Sequence, residues 1–292
     1  MAASWAVILG CPRSGTTFLT DVTSGADATE TAVGRVFPSQ VGPVLGATND
    51  PELRRALGYS LRFTLNDHLE AVAASRTAAL VELLRGNSGL AETFDGLRRR
   101  RRLSVMVYKE PFLAFAPEYP YEALPGSRII HIHRDGRDAA DSLVRTYDVL
   151  SDARLASPDS NEVVFGRPVD GRYVPWWVAE GAEGEFLDAS QYVRAVWMWR
   201  EMVRLCTAFA ARPDVVESGR VMAVKYEDVV SRPMEVGMQV IQHLGLKPNR
   251  RIEARLRAAK VGSIGIHRKR PQAEVARATA LAGAELAALG YV

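Results

Sequence analysis

The chain has 292 residues, 47% of them hydrophobic and 24% charged, which is enough to bury a sizeable core and lies outside the composition of disordered or fibrous chains. A formal net charge of +3 gives no general drive toward nucleic acid, so anion recognition has to come from local clusters. Two cysteines, Cys11 and Cys206, make neither a disulfide framework nor a Cys/His set with zinc spacing, which points to a reducing cytoplasm and to no metal site.

In chain order, the apolar run at 5–9 is ended by Gly10, Pro12 and Arg13. It is too short for a signal segment or a membrane span and reads as a buried strand. Helical spacing follows at Phe18, Leu19 and Val22, and residues 52–84 read as one or two helices with few glycines. Further buried strands are expected at 104–108, 128–132 and 221–224, with helical spacing after the third at Ala139, Leu143 and Tyr147. Ser231 and Pro233 open a helix toward Leu244 that Gly245 caps, and a last apolar stripe at 281–289 ends at Gly290. Strands alternating with helices predict an α/β fold with a parallel sheet covered by helices on both faces.

The segment 151–188 differs from its surroundings, because Pro158, Pro168 and Pro175 accompany the paired Trp176 and Trp177. It reads either as a cover over an active site or as a surface loop pinned to the core by its rings. No domain boundary emerges, so residues 1–292 are expected to form one domain.

The first strand runs into Gly10-Cys11-Pro12-Arg13-Ser14-Gly15-Thr16-Thr17 and then into a helix. A glycine-rich turn before a helix N-terminus aims several backbone N–H groups at one point, which is a phosphate site. Gly10, Gly15 and Thr17 match the pattern GxxxxGK[ST], but Thr16 stands where a nucleoside triphosphatase has its lysine, and Arg13 supplies a cation from inside the loop instead. A second anion site is expected where the third strand ends, at Arg134, with Ser142 about two helical turns further on.

These residues resemble a known family. Residues 12–17 are similar to the 5′-phosphosulfate-binding motif of sulfotransferases, and Arg134 with Ser142 to their 3′-phosphate-binding motif. Thr29-Glu30-Thr31, Lys109-Glu110-Pro111-Phe112 and Arg134-Asp135-Gly136-Arg137 resemble landmarks of the tyrosylprotein branch, and the likeness continues through residues 224–228 and 262–265.

The resemblance implies a P-loop-like domain that transfers a sulfuryl group in line from 3′-phosphoadenosine 5′-phosphosulfate to a hydroxyl, without a metal. It gives Arg13 and Lys109 the task of facing the oxygens where charge builds up. Glu30 becomes the general base, with His68 as rival. Ser14, Gly15, Thr16 and Thr17 would hold the 5′ side of the donor, and Arg134 and Ser142 the 3′-phosphate. Ser263, Arg268 and Lys269 would form the last donor-binding loop, in which His267 replaces a common aromatic. Tyr226 either packs near the nucleotide or ends a strand.

A small-molecule acceptor is expected, since no membrane anchor is evident; the oligomeric state is not readable. The five arginines at 98–102 form a solvated face or attract an acidic acceptor. Two alternatives are an atypical P-loop kinase of a small metabolite, which would need Mg²⁺ and ATP, and a non-catalytic nucleotide-binding member of the fold.

Overall fold

The computed structural model describes residues 4–27, 29–33, 48–74, 84, 89–90, 103–157 and 166–292. The arginines at 98–102, Pro158 and most of the expected helix beyond Ala74 lie outside the described residues.

Among the described residues, five strands form one parallel sheet: β1 (Ser4–Leu9), β2 (Thr29–Val33), β3 (Val105–Lys109), β4 (Arg128–His133) and, after a separate small hairpin of β5 (Arg167–Val169) and β6 (Arg172–Val174), β7 (Val221–Lys225). The order is β2-β3-β1-β4-β7, with every neighbour parallel. Alternate residues of each inner strand enter different cores, as the two-residue period of a strand requires. Ala6, Ile8, Val105, Val107, Ile130 and Ile132 pack on one face with the helices Thr16–Ser24, Met238–His243 and Arg250–Arg257. Trp5, Val7, Leu9, Met106, Tyr108 and Ile129 pack on the other with Leu61 and Leu65 of the helix Pro51–Ala74. Burial on both faces explains why these strands read as continuous apolar runs.

All four expected strands are present, and the expected α/β architecture with covered faces is the one observed. β2 is an addition. Among the described residues it is an edge strand joined only to β3, and its Thr29, Glu30 and Thr31 carry no apolar run to announce it.

The described part of 151–188 holds the β5–β6 hairpin and the helix Glu183–Leu187, which lead into the long helix Gln191–Ala210. Its tryptophans join the core: Trp176 meets Phe115 edge-on at 5.2 Å, Trp177 stacks on Phe115 at 6.0 Å, and Phe186 meets Trp177 edge-on at 5.5 Å. Among the described residues, no helix is long and apolar enough to cross a membrane.

β1 is the middle strand. The chain leaves it first toward β2 and β3 and later crosses to β4, so the strand order reverses at its carboxyl end. Ligands of open α/β sheets bind in that crevice. Here it receives the Gly10–Gly15 turn, flanked by Lys109 at the end of β3 and Arg134 just after β4.

Candidate functional site

The turn after β1 is built by two glycines that no other residue replaces. At Gly10 (φ 151°) a Cβ would lie 2.2 Å from the carbonyl oxygen of Ile132, and at Gly15 (φ 101°) it would lie 2.4 Å from the ring of Tyr226. Between them Arg13 also takes a left-handed backbone conformation, φ 70°, which costs a non-glycine residue free energy and has to be held in place. Arg134 holds it, donating from Nη1 to the Arg13 carbonyl at 3.2 Å. The helix Thr16–Ser24 starts without a side-chain cap, which leaves its first-turn N–H groups facing the crevice.

The side chains around this turn converge. Arg13 Nε donates to Ser142 Oγ at 3.0 Å, with its guanidinium 5.9 Å from the Tyr147 ring centroid. Lys109 Nζ donates to Thr17 Oγ1 at 3.4 Å. Arg134, 4% exposed, lies over the Tyr226 ring at 5.1 Å and donates from Nη2 to the Ser263 carbonyl, and the Tyr226 hydroxyl is 3.1 Å from Ser263 Oγ. Two buried polar atoms here, Ser14 Oγ and Arg134 Nε, have no partner among the described residues.

Together these groups line a cleft of about 800 Å³. Its lining combines the polar Arg13, Thr16, Thr17, Lys109, Arg134, Ser142 and Ser263 with the apolar side chains of Phe112, Leu143, Tyr147 and Val149. Among the described residues that line it there is no carboxylate and no histidine. Burial lowers the pKa of Lys109, an effect that the neighbouring Glu110 opposes.

Most of the residues singled out in the sequence therefore meet, and Arg13, Gly15, Thr16, Thr17, Lys109, Arg134, Ser142, Tyr226 and Ser263 share one cleft. Ser14 lies buried beneath the turn. Four others fall elsewhere. Glu30 sits opposite Met106, whereas Val33, three residues later, is the one opposite Lys109. At a rise of roughly 3.3 Å per residue, the Glu30 backbone is about 10 Å below the rim, too far for its side chain to reach the turn. Its Oε1 instead accepts from the Thr31 N–H at 3.4 Å. His68 belongs to the helix Pro51–Ala74, which packs against the helix Glu118–Ala123 outside the cleft. Arg268 and Lys269 are exposed on the turn Ile266–Lys269 and do not line it either.

Three contributors were missed. Lys260 lines the cleft three residues before Ser263, a spacing that a search for cations near that loop would have met. Asp138, 1% exposed, accepts from the Gly265 N–H at 2.6 Å, the His267 N–H at 3.0 Å and His267 Nδ1 at 2.5 Å, so it pins the loop that carries Ser263. Burial pushes the Asp138 carboxyl up, but these hydrogen bonds outweigh it and leave the pKa lowered. Glu110 is 2% exposed and caps the turn Pro111–Phe115 by accepting from the Phe112 N–H at 3.1 Å; burial raises its pKa to about 7, against that hydrogen bond and the Lys109 charge.

A sequence model of the sulfotransferase family matches residues 6–161, more than half of the chain. The chain belongs to the sulfotransferase family. That assignment covers the Gly10–Gly15 turn, Lys109, Arg134 and Ser142. No curated protein sequence matches the chain.

Among solved structures, the sulfotransferase domain of the Synechococcus PCC 7002 olefin synthase is 17% identical, with 97% of this chain and 94% of that one covered at a TM-score of 0.52, which is a likeness of fold. Sulfotransferase STF9 from Mycobacterium avium is 14% identical over 99% of this chain and 77% of that one, at a TM-score of 0.47. A sulfotransferase from Alicyclobacillus acidocaldarius is 18% identical over 97% and 96%, at 0.41. The tyrosylprotein branch, which the sequence landmarks resemble, does not appear among these bacterial sulfotransferases.

Proposed function

We propose that this sulfotransferase transfers a sulfuryl group from 3′-phosphoadenosine 5′-phosphosulfate to a hydroxyl of a small-molecule acceptor. The observation that carries the reading is the hydrogen bond from Arg134 to the Arg13 carbonyl, which joins two corners, one after β1 and one after its neighbour β4, into one cleft. A nucleotide with anionic groups at both ends of its ribose fits such a pair.

The residues present suit that group. The first-turn N–H groups of the helix Thr16–Ser24 would meet one anion, while Ser142, Ser263 and Arg134, whose Nε has no partner among the described residues, would meet another. When bound, the donor supplies a sulfuryl group on a phosphate leaving group. Arg13 and Lys109 then stand where charge accumulates on the leaving side, fixed in advance by Ser142 and Thr17, and preorganised cations of this kind stabilise a transition state more than water does. The apolar wall of Phe112, Leu143, Tyr147 and Val149 takes the body of the acceptor and keeps water from the transferring group.

The test is incubation with sulfur-labelled donor and a host extract, followed by mass spectrometry of the labelled product. Label on a small molecule supports the reading; label confined to peptides overturns the acceptor class, and transfer of phosphate from ATP overturns the donor.

A further inference from the structure

The peptide unit that joins Arg134 to Asp135 is gripped at both of its polar ends. Trp199 Nε1 donates to the Arg134 carbonyl at 3.0 Å, and the Asp135 N–H donates to Glu227 Oε1 at 3.0 Å. Its rotation is therefore blocked from both sides, and the direction in which the Arg134 side chain leaves the backbone is set with it. Trp199 is fully buried, and a Cβ on Gly136 would lie 2.3 Å from its ring, so the indole packs flush against the turn.

Glu227 is held in turn. The Tyr291 hydroxyl donates to Glu227 Oε2 at 3.1 Å. With its one proton so used, it accepts from Nδ1 of His133, 3.0 Å away. Burial drives the His133 pKa down to about 4, which keeps the ring neutral, and the contact with Tyr291 selects the tautomer that carries its proton on Nδ1. Tyr291 is fastened by its backbone as well: Arg137 Nη2 donates to its carbonyl at 3.1 Å, and Lys225 Nζ donates to the Gly290 carbonyl at 3.3 Å. None of Trp199, Glu227 and Tyr291 lines the cleft.

We propose that Trp199, Glu227 and Tyr291 are positioning residues for Arg134: through the peptide that they clamp, they aim its guanidinium at the phosphate on the 3′ side of the bound nucleotide. The inference rests on the reading above that Arg134 meets that phosphate. A supporting frame of this kind differs from general packing in what it controls, because loss of the clamp costs only the part of nucleotide affinity that the 3′-phosphate provides.

The experiment compares adenosine 3′,5′-bisphosphate with adenosine 5′-phosphate by calorimetric titration, on the full chain. Tyr291→Phe removes one hydroxyl and keeps the ring, so the fold survives. It is expected to weaken the bisphosphate about tenfold, in line with one hydrogen bond to a charged group, and to change the monophosphate by less than about twofold. Glu227→Gln should move the same preference in the same direction. Equal weakening of both ligands, or no change in either, overturns the inference. Arg134→Ala in the otherwise unchanged chain tests the underlying reading separately: if the preference for the bisphosphate survives it, the 3′-phosphate does not sit on Arg134, whatever Tyr291 does.

Discussion

Arg13 Nε donates to Ser142 Oγ at 3.0 Å, so a side chain from the turn after β1 closes on a hydroxyl of the helix that follows β4. The contact spans 129 residues of sequence and exists because both elements start at the carboxyl edge of neighbouring strands. Arg13→Lys keeps the charge but gives up the Nε donor and the planar fork. Turnover with the sulfuryl donor is expected to fall roughly 10²-fold, measured as initial rates. A near-normal rate would show that a point charge in the turn is enough.

Lys109 is a cation of the cleft whose protonation pH can reach. Burial lowers its pKa, so the ammonium is lost below the usual lysine range as pH rises. An alkaline limb in the rate profile should follow, present in the unaltered chain and shifted upward in Lys109→Arg, whose guanidinium stays charged. Lys109→Ala should lower turnover by roughly 10²- to 10³-fold on the acid side of that limb, and the gap should narrow as pH rises through it. An unaltered alkaline limb in Lys109→Arg would assign it to another group.

Glu30 is expected to be dispensable for chemistry. Because Val33 and not Glu30 stands level with Lys109, Glu30→Gln should leave turnover within about threefold of the unaltered chain. A fall of roughly 10²-fold with donor affinity kept would restore the carboxyl to the role that family resemblance suggested.

Glu110 makes a prediction about stability. Its pKa rises in the fold from 4.5 to about 7, so the protonated form is the one the fold favours. Stability relative to Glu110→Gln should be flat below about pH 4.5, fall as pH rises toward 7, and stay low above it, by up to ~3 kcal/mol. Denaturant unfolding at several pH values checks this. A difference that grows toward acid pH would contradict it.

The sheet was legible because its inner strands are buried on both faces, and a run such as 5–9 then needs no alternation to be seen. The turn from Gly10 to Thr17 and the Arg134–Ser142 pair were legible because strand end, turn and helix start lie together in sequence. β2 was not legible: a strand that begins Thr-Glu-Thr carries no apolar run, and among the described residues it pairs on one side only.

The height of Glu30 on the sheet depends on register with β3, which sequence does not state. Asp138, Glu227 and Tyr291 act on residues far from them in the chain, and Lys260 joins the cleft through a loop whose path Asp138 fixes. Trp176 and Trp177 were visible as unusual, and the structure uses them to pack against Phe115.

The central claim is that one nucleotide bridges the corner at Arg13 and the corner at Arg134, and thermal or denaturant unfolding in the presence of adenosine 3′,5′-bisphosphate tests it most directly. At about 100 times its Kd the ligand should stabilise the unaltered chain by roughly 2.7 kcal/mol, and at that same concentration Arg13→Ala and Arg134→Ala should each lose most of the gain. Full stabilisation retained in either variant would contradict the bridge.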